Sequence, residues 1–242
     1  ELYKKPYEAL LKAMPIIQHI PYVNSVEDPL WHSCPKHWAH AEAALEAIEH
    51  ELAAVIVEPI VQGAGGMLIY SQDFLRRLTQ WCQARGIFVI ADEIMTGFGR
   101  TGKMFAFEHA EITPDFVCMG KAMTGGYLPM SAVMTTPAVF DEFYGDYAKG
   151  RSFLHSNTFA GNALGSAVAL AHLEALASEG ILEKVAAESH GLIDRMRELA
   201  TVTGSLEKVR GIGAMVAGNL AWPNALSQRY GFKVYQAGLS EQ

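Results

Sequence analysis

Two residues stand where paired chemistry is possible. Asp92 closes the apolar run "IFVIAD", and Lys121 follows "PDFVCMG". Short continuous apolar runs of this kind read as buried strands. Ligands of open parallel sheets bind beyond the carboxyl ends of the strands. If the two strands run parallel, the carboxylate and the amine therefore emerge on one edge. Lys121 lies between "CMG" and "AMTGG", an apolar, glycine-rich setting. Such surroundings favour the neutral amine that a Schiff-base nucleophile requires. The plainer readings are a strand-end carboxylate capping a helix for Asp92 and a solvated surface lysine for Lys121.

One cofactor uses such a pair together. Pyridoxal phosphate takes a lysine for its Schiff base and a carboxylate beside its ring nitrogen, which keeps that nitrogen protonated. A rival lies in the same stretch, because Gly97 to Lys103 reads G-F-G-R-T-G-K, most of a nucleotide-binding P-loop. A P-loop needs Ser or Thr after the lysine to hold Mg²⁺, and a helix opening at once. Here Met104 follows Lys103, and Pro114 arrives before a solid helix can form. The acidic pair Asp92–Glu93 also directly precedes the loop, whereas P-loop enzymes take it from another strand. The P-loop reading is disfavoured.

The elements that must position these residues alternate. Residues 1–38 read as irregular, punctuated by Pro6, Pro15, Pro21, Pro29 and Pro35. A helix is expected over "HAEAALEAIEHEL" and a strand buried on both faces over "AAVIVEPI". A helix is expected from the Ser71 N-cap to Gly86. Strands follow in "IFVIADE", "PDFVCMG" and "MSAVMTT", then long helices in "NALGSAVALAHLEALASEG" and "ILEKVAAESHGLIDRMRELATV". This alternation predicts an α/β fold with a mainly parallel sheet flanked by helices. A further strand, "VRGIGAMVAGNL", and a helix over "ALSQRYGFKVYQAGLSEQ" read as the start of a smaller unit.

Bulk properties narrow the function classes. Half of the 242 residues are apolar and 19% are charged, as in an ordinary globular protein. A net charge of −7 without a basic stripe argues against a nucleic-acid binder. No run approaches the roughly eighteen apolar residues of a membrane span, and the opening "ELYKKPYEAL" has no apolar signal core. Cys34, Cys82 and Cys118 are far apart, without metal-ligand spacing, which suits a reducing cytoplasm.

"FVIADEIMTGFGRTG" followed by "PDFVCMGKAMTGG" resembles the signature of the class III aminotransferases, including its acid-to-lysine spacing. "AAVIVEPIVQGAGGM", "GFGRTGKMFAFEHAEITPD" and "GKAMTGGYLPMSAVMTT" extend the resemblance to the branch that serves biotin synthesis. It implies the type I aminotransferase fold and pyridoxal 5'-phosphate as cofactor. It also implies amino transfer from S-adenosylmethionine to 8-amino-7-oxononanoate, giving 7,8-diaminononanoate, in a homodimer with shared active sites. Lys121 would be the Schiff-base lysine, Asp92 the partner of the pyridine nitrogen, and Ile94 the residue packed on the ring. Glu58 would be a supporting acid near the substrate. "FLHSNTFAGN" resembles the segment that reaches a neighbouring subunit's cofactor, with Thr158 and Asn157 at the phosphate and Ser156 on the substrate side.

Each assignment has a plain counterpart: core packing for Ile94, a backbone-bonded strand-end acid for Glu58, and a helix-capping turn around Thr158. Ser156 departs from the glycine of the best-known biotin enzymes, which bears on pocket shape. Met95 replaces the glutamine of many other members and favours the biotin branch. His109 and His155 are expected to be structural. By the resemblance, residues 1–180 form part of a large cofactor domain, and 181–242 a linking helix and the beginning of a small C-terminal domain. The family's upstream Gly-Ser phosphate loop and ring-stacking aromatic residue, and its downstream arginine, find no counterpart. The chain is thus expected to match the enzyme's middle and to bind the cofactor weakly. The alternatives are a class III aminotransferase for an ω-amino acid or diamine, a P-loop ATPase, or a catalytically inert fragment.

Overall fold

The computed structural model describes residues 9–10, 14–155, 158–221 and 230–240. After the short strand β1 (Tyr22–Val23) come helices α1 (Pro29–His32) and α2 (Pro35–Glu46). The stretch before residue 39 is therefore not wholly irregular. Pro29 and Pro35 open the two helices, where a missing N–H leaves nothing unsatisfied and the fixed φ suits the first turn. Asp28 caps α1 by accepting from the Leu30 amide at 2.9 Å.

The central sheet has the order β2 (Ala54–Val57), β5 (Phe88–Asp92), β6 (Phe116–Met119), β7 (Ala132–Thr135). The first three strands are parallel and β7 is antiparallel to β6. Between β2 and β5 the chain makes the hairpin β3 (Val61–Gln62) and β4 (Leu68–Tyr70), which β1 joins through β4. It then forms α3 (Gln72–Gln83). Ser71 caps α3 by accepting from the Phe74 amide at 3.3 Å, as its position foretold. Phe74, Leu75, Leu78, Trp81 and Cys82 form its buried stripe, in one core with Val55 and Val89 of the sheet.

Strand alternation then separates two faces. Val55 and Val89 are buried in the core that α3 forms, and Ala91 and Met119 are buried on the same face of the sheet, Met119 beside Phe98 and Met123. On the other side Ile56 is 63% exposed, Phe88 42% and Val133 63%. The expectation that "AAVIVEPI" and "IFVIADE" are buried on both faces is thus corrected: among the described residues, only one face of this sheet is well covered. Asp92 lies in register with Cys118 and, by the same alternation, on the open face.

After β7 come α4 (Pro137–Phe143), α5 (Ala163–Ser178), α6 (Ile181–Thr203), the hairpin β8 (Leu206–Ile212) and β9 (Met215–Leu220), and α7 (Tyr230–Ser240). "VRGIGAMVAGNL" is two strands rather than one. The chain reverses at Gly213, whose φ of +60° suits glycine. Ile212 and Met215 at the hairpin tip enter the same core as α3. No described helix is long and apolar enough to cross a membrane.

Candidate active site

The parallel pairing of β5 and β6 settles the first question asked of the sequence. Ile90, Ala91 and Asp92 pair with Phe116, Val117 and Cys118, so both strands end together. Asp92 is the last residue of β5, and Lys121 follows β6 after Gly120. Lys121 opens a short 3₁₀ turn, Lys121–Thr124, with φ +44°. A non-glycine residue in left-handed backbone costs on the order of 1–2 kcal/mol. Strain of this kind concentrates at functional sites. Ile94 joins the two ends, because a Cβ placed on Gly120 would lie 3.5 Å from its Cγ2.

Lys121 is exposed at the sheet edge. Its apolar sequence neighbours do not enclose it; Met123 and Thr124 of the same turn take the burial. The turn rests on α5, where His172 meets Gly125 and Gly165 meets Met130. One Asp92 oxygen accepts from the Ile94 amide at 3.1 Å, a two-residue turn that fixes the carboxylate. Among the described residues no second donor reaches Asp92. Burial pushes the neighbouring Cys118 thiol above its ordinary range, and the Asp92 charge adds to this.

Glu58 stands just past the carboxyl end of β2, half-buried, its Oε1 accepting from the Gly63 amide at 3.1 Å. Burial raises its proton affinity, the Gly63 N–H opposes this, the Asp92 charge raises it further and the Lys121 charge lowers it. Three strand ends thus bring two acids and an amine into one electrostatic neighbourhood. No arginine pairs with Glu58 among the described residues; its partner is backbone.

The loop after Asp92 is not a P-loop. The amides of Phe98 and Gly99 donate to Met104 O at 2.7 and 3.3 Å, and that of Gly102 to Gly99 O at 2.9 Å. These groups are spent within the loop instead of facing a phosphate. A 3₁₀ turn, Ala106–Ala110, follows in place of a helix, and Lys103 is exposed. The loop is braced by Glu93, which is fully buried. Its carboxylate accepts from the Thr96 hydroxyl at 2.5 Å and the Phe107 amide at 2.8 Å. Burial raises the Glu93 carboxyl above its usual range, and these hydrogen bonds hold it back.

His109 is structural, as expected: its Nε2 meets Thr101 O at 3.2 Å and Oγ1 at 3.1 Å, and burial lowers its pKa to about 4. His155 is exposed and stacks on Phe153. Thr158 is exposed in the turn before α5, and no hydrogen bond joins it to Lys121, Asp92 or Glu58. The cap of α5 is Asn162, which accepts from the amides of Leu164 and Gly165. Ser156 and Asn157 lie outside the described residues. Sequence reasoning missed Glu93 and Arg210. Glu93 was absorbed into an acidic pair with Asp92, while Arg210, a lone charge in the apolar "VRGIGAMV", was a signal left unread.

Comparison with known proteins bears on this geometry. The family described as aminotransferase class III matches residues 3–240. The chain belongs to the class III aminotransferases. A relative from Nitratidesulfovibrio vulgaris, named adenosylmethionine-8-amino-7-oxononanoate aminotransferase, is 44% identical over 164 residues, covering 68% of this chain and 29% of its own length. The solved structure of the Methanocaldococcus jannaschii protein of that name matches at TM-score 0.75 and 30% identity, over 91% of this chain and 48% of its own. An amine transaminase from an uncultivated Pseudomonas species, solved in its PLP-bound form, matches at TM-score 0.70 and 32% identity, over 78% and 43%. The chain spans about a third to a half of the length of the curated relatives it matches. Its α/β fold with a mainly parallel sheet is the aminotransferase fold of these structures.

Proposed function

We propose that the chain forms part of a pyridoxal-phosphate-dependent aminotransferase of biotin synthesis, which transfers an amino group from S-adenosylmethionine to 8-amino-7-oxononanoate. The observation that carries the proposal is the convergence of Asp92, Lys121 and Glu58 at one sheet edge, with Ile94 between the two strand ends. The donor set fits the cofactor: an exposed amine that can condense with an aldehyde, a carboxylate with one oxygen unspent, and an apolar side chain between them. When bound, pyridoxal phosphate supplies an electron sink for the substrate carbon.

The protein's own residues supply the rest. Lys121 Nζ would hold the cofactor, and its amine would take up and return the proton in transit. The negative charge of Asp92 would keep the cofactor's ring nitrogen protonated. Ile94 would pack on the ring. Glu58, whose proton affinity is raised by burial, places an acid on the substrate side. Thr158 would reach the cofactor phosphate of a second subunit in a homodimer with shared sites, and the resemblance gives Asn157 a part at that phosphate and Ser156 one on the substrate side. The exposed position of Thr158 before α5 is compatible with such a reach. We assign residues 1–180 to the large domain and 181–242 to the linking helix and the start of the small one. Three unpaired cysteines suit a cytoplasmic setting.

A second reading, transfer to or from an ω-amino acid or diamine, draws on the amine transaminase among the matched structures. A donor comparison on the cofactor-loaded protein separates the two. Formation of 7,8-diaminononanoate at least tenfold faster from S-adenosylmethionine than from ornithine supports the first reading. Lysine serves as a further donor in that comparison. Preference for ornithine, or turnover of ω-amino acids alone, overturns it.

A further inference from the structure

Arg210 is the least expected charge in the molecule. It lies in β8 at 7% exposure, and no carboxylate pairs with it among the described residues. A buried guanidinium without a counter-ion is costly unless dipoles satisfy it. Here they come from two places. Within its own hairpin, Nη1 donates to Lys208 O at 2.9 Å and to Asn219 Oδ1 at 3.0 Å. Across the molecule, Nε donates to Met67 O at 2.9 Å and Nη2 to Gly66 O.

Those two carbonyls belong to the β3–β4 turn. The amides of Gly66 and Met67 both donate to Gly63 O at 3.0 Å, closing the turn. The Gly63 amide in turn donates to Glu58 Oε1 at 3.1 Å. Met95, from the loop after Asp92, packs on Gly63 so closely that a Cβ there would overlap its Sδ. A short chain of hydrogen bonds therefore runs from Arg210, 143 residues away in sequence from Met67, to the acid of the candidate site. The same hairpin also grips the loop after Asp92, where the Ala214 amide donates to Arg100 O at 2.9 Å.

We infer that Arg210 is a positioning residue of the active site: by holding the Gly66 and Met67 carbonyls it fixes the turn whose Gly63 amide orients Glu58. The inference rests on the proposed function for its catalytic meaning, but its test does not. Amide hydrogen exchange on the whole 242-residue protein, without cofactor, is followed at Gly63, Gly66 and Met67, with Val89 and Ile90 of β5 as reference. In Arg210→Met the three turn amides exchange at least tenfold faster while the β5 amides do not change. Arg210→Lys, which keeps the charge and loses the fork, gives an intermediate rate. Asn219→Ala, which removes only the acceptor within the hairpin, leaves the turn amides as they are.

Unchanged turn amides in Arg210→Met overturn the inference. A rise shared equally by β5 also overturns it, because Arg210 would then serve global stability alone. If Arg210→Met does not fold, Arg210→Lys is read by the same comparison, and turn amides no faster than in the unaltered protein overturn the inference. A Lys121 that takes up no cofactor would defeat the proposed function while leaving these amide rates unaffected.

Discussion

Replacing Gly213 by alanine tests how the β8–β9 hairpin meets the loop that follows Asp92, and Gly86→Ala supplies the matched control. Both glycines have left-handed backbone, with φ of +60° and +69°. Their surroundings differ. A Cβ on Gly86 would meet nothing within 4 Å, whereas one on Gly213 would lie 2.5 Å from Arg100 O and 2.7 Å from Gly102 N. Both variants carry the left-handed cost of about 1–2 kcal/mol for an L-residue. Both also gain the same small stabilisation from a stiffer unfolded chain, so these contributions cancel in the difference.

Gly213→Ala must in addition push backbone apart by about 1 Å. That overpacking costs roughly 1–3 kcal/mol. It also breaks the bond from the Ala214 amide to Arg100 O, a further loss of about 0.5–1.5 kcal/mol. The expected difference between the variants is about 2–4 kcal/mol. At about 2–4 °C per kcal/mol for a chain of this size, Gly213→Ala should melt roughly 4–16 °C below Gly86→Ala. Paired thermal and urea unfolding, followed by circular dichroism, reads this directly. Equal losses, within about 1 kcal/mol, would refute the close docking of the hairpin on the loop.

Two further outcomes are expected. His109 holds a proton less readily folded than unfolded, its pKa lowered to about 4 by burial. Its contribution to stability is therefore full above the unfolded value of about 6.5 and is lost as pH falls toward 4, by roughly 2–3 kcal/mol. His109→Gln should flatten the stability profile across that window, and an unchanged profile contradicts the assignment. On the sheet, Ile56→Ala on the open face should cost under about 1 kcal/mol, and Val89→Ala on the covered face about 1.5–3 kcal/mol; reversed costs in urea unfolding would contradict the two-faced sheet.

Much of the site geometry was legible because it follows from local runs. The apolar strands ending at Asp92 and before Lys121, with the helices between strands, were enough to predict a parallel pair and a shared edge. The N-cap at Ser71 was equally local. Three features were hidden for physical reasons. The start of α2 fell at Pro35, a residue that breaks helices internally but opens them well. The β3–β4 hairpin has strands of two and three residues, too short for periodicity to register. Arg210 acts on a turn 143 residues away, a distance at which spacing in the chain carries no signal. The exposure of Ile56 and Phe88 could not be read either, since a continuous apolar run looks the same whether one face or both are covered.

The most direct test of the account asks which lysine takes the cofactor. The protein is mixed with pyridoxal phosphate, reduced with borohydride to fix the cofactor on the amine it has joined, digested and mapped by mass spectrometry. The label is expected on Lys121, reduced in yield in Asp92→Asn and absent in Lys121→Ala. Label on Lys103, or spread over the exposed lysines without preference for Lys121, would contradict the account.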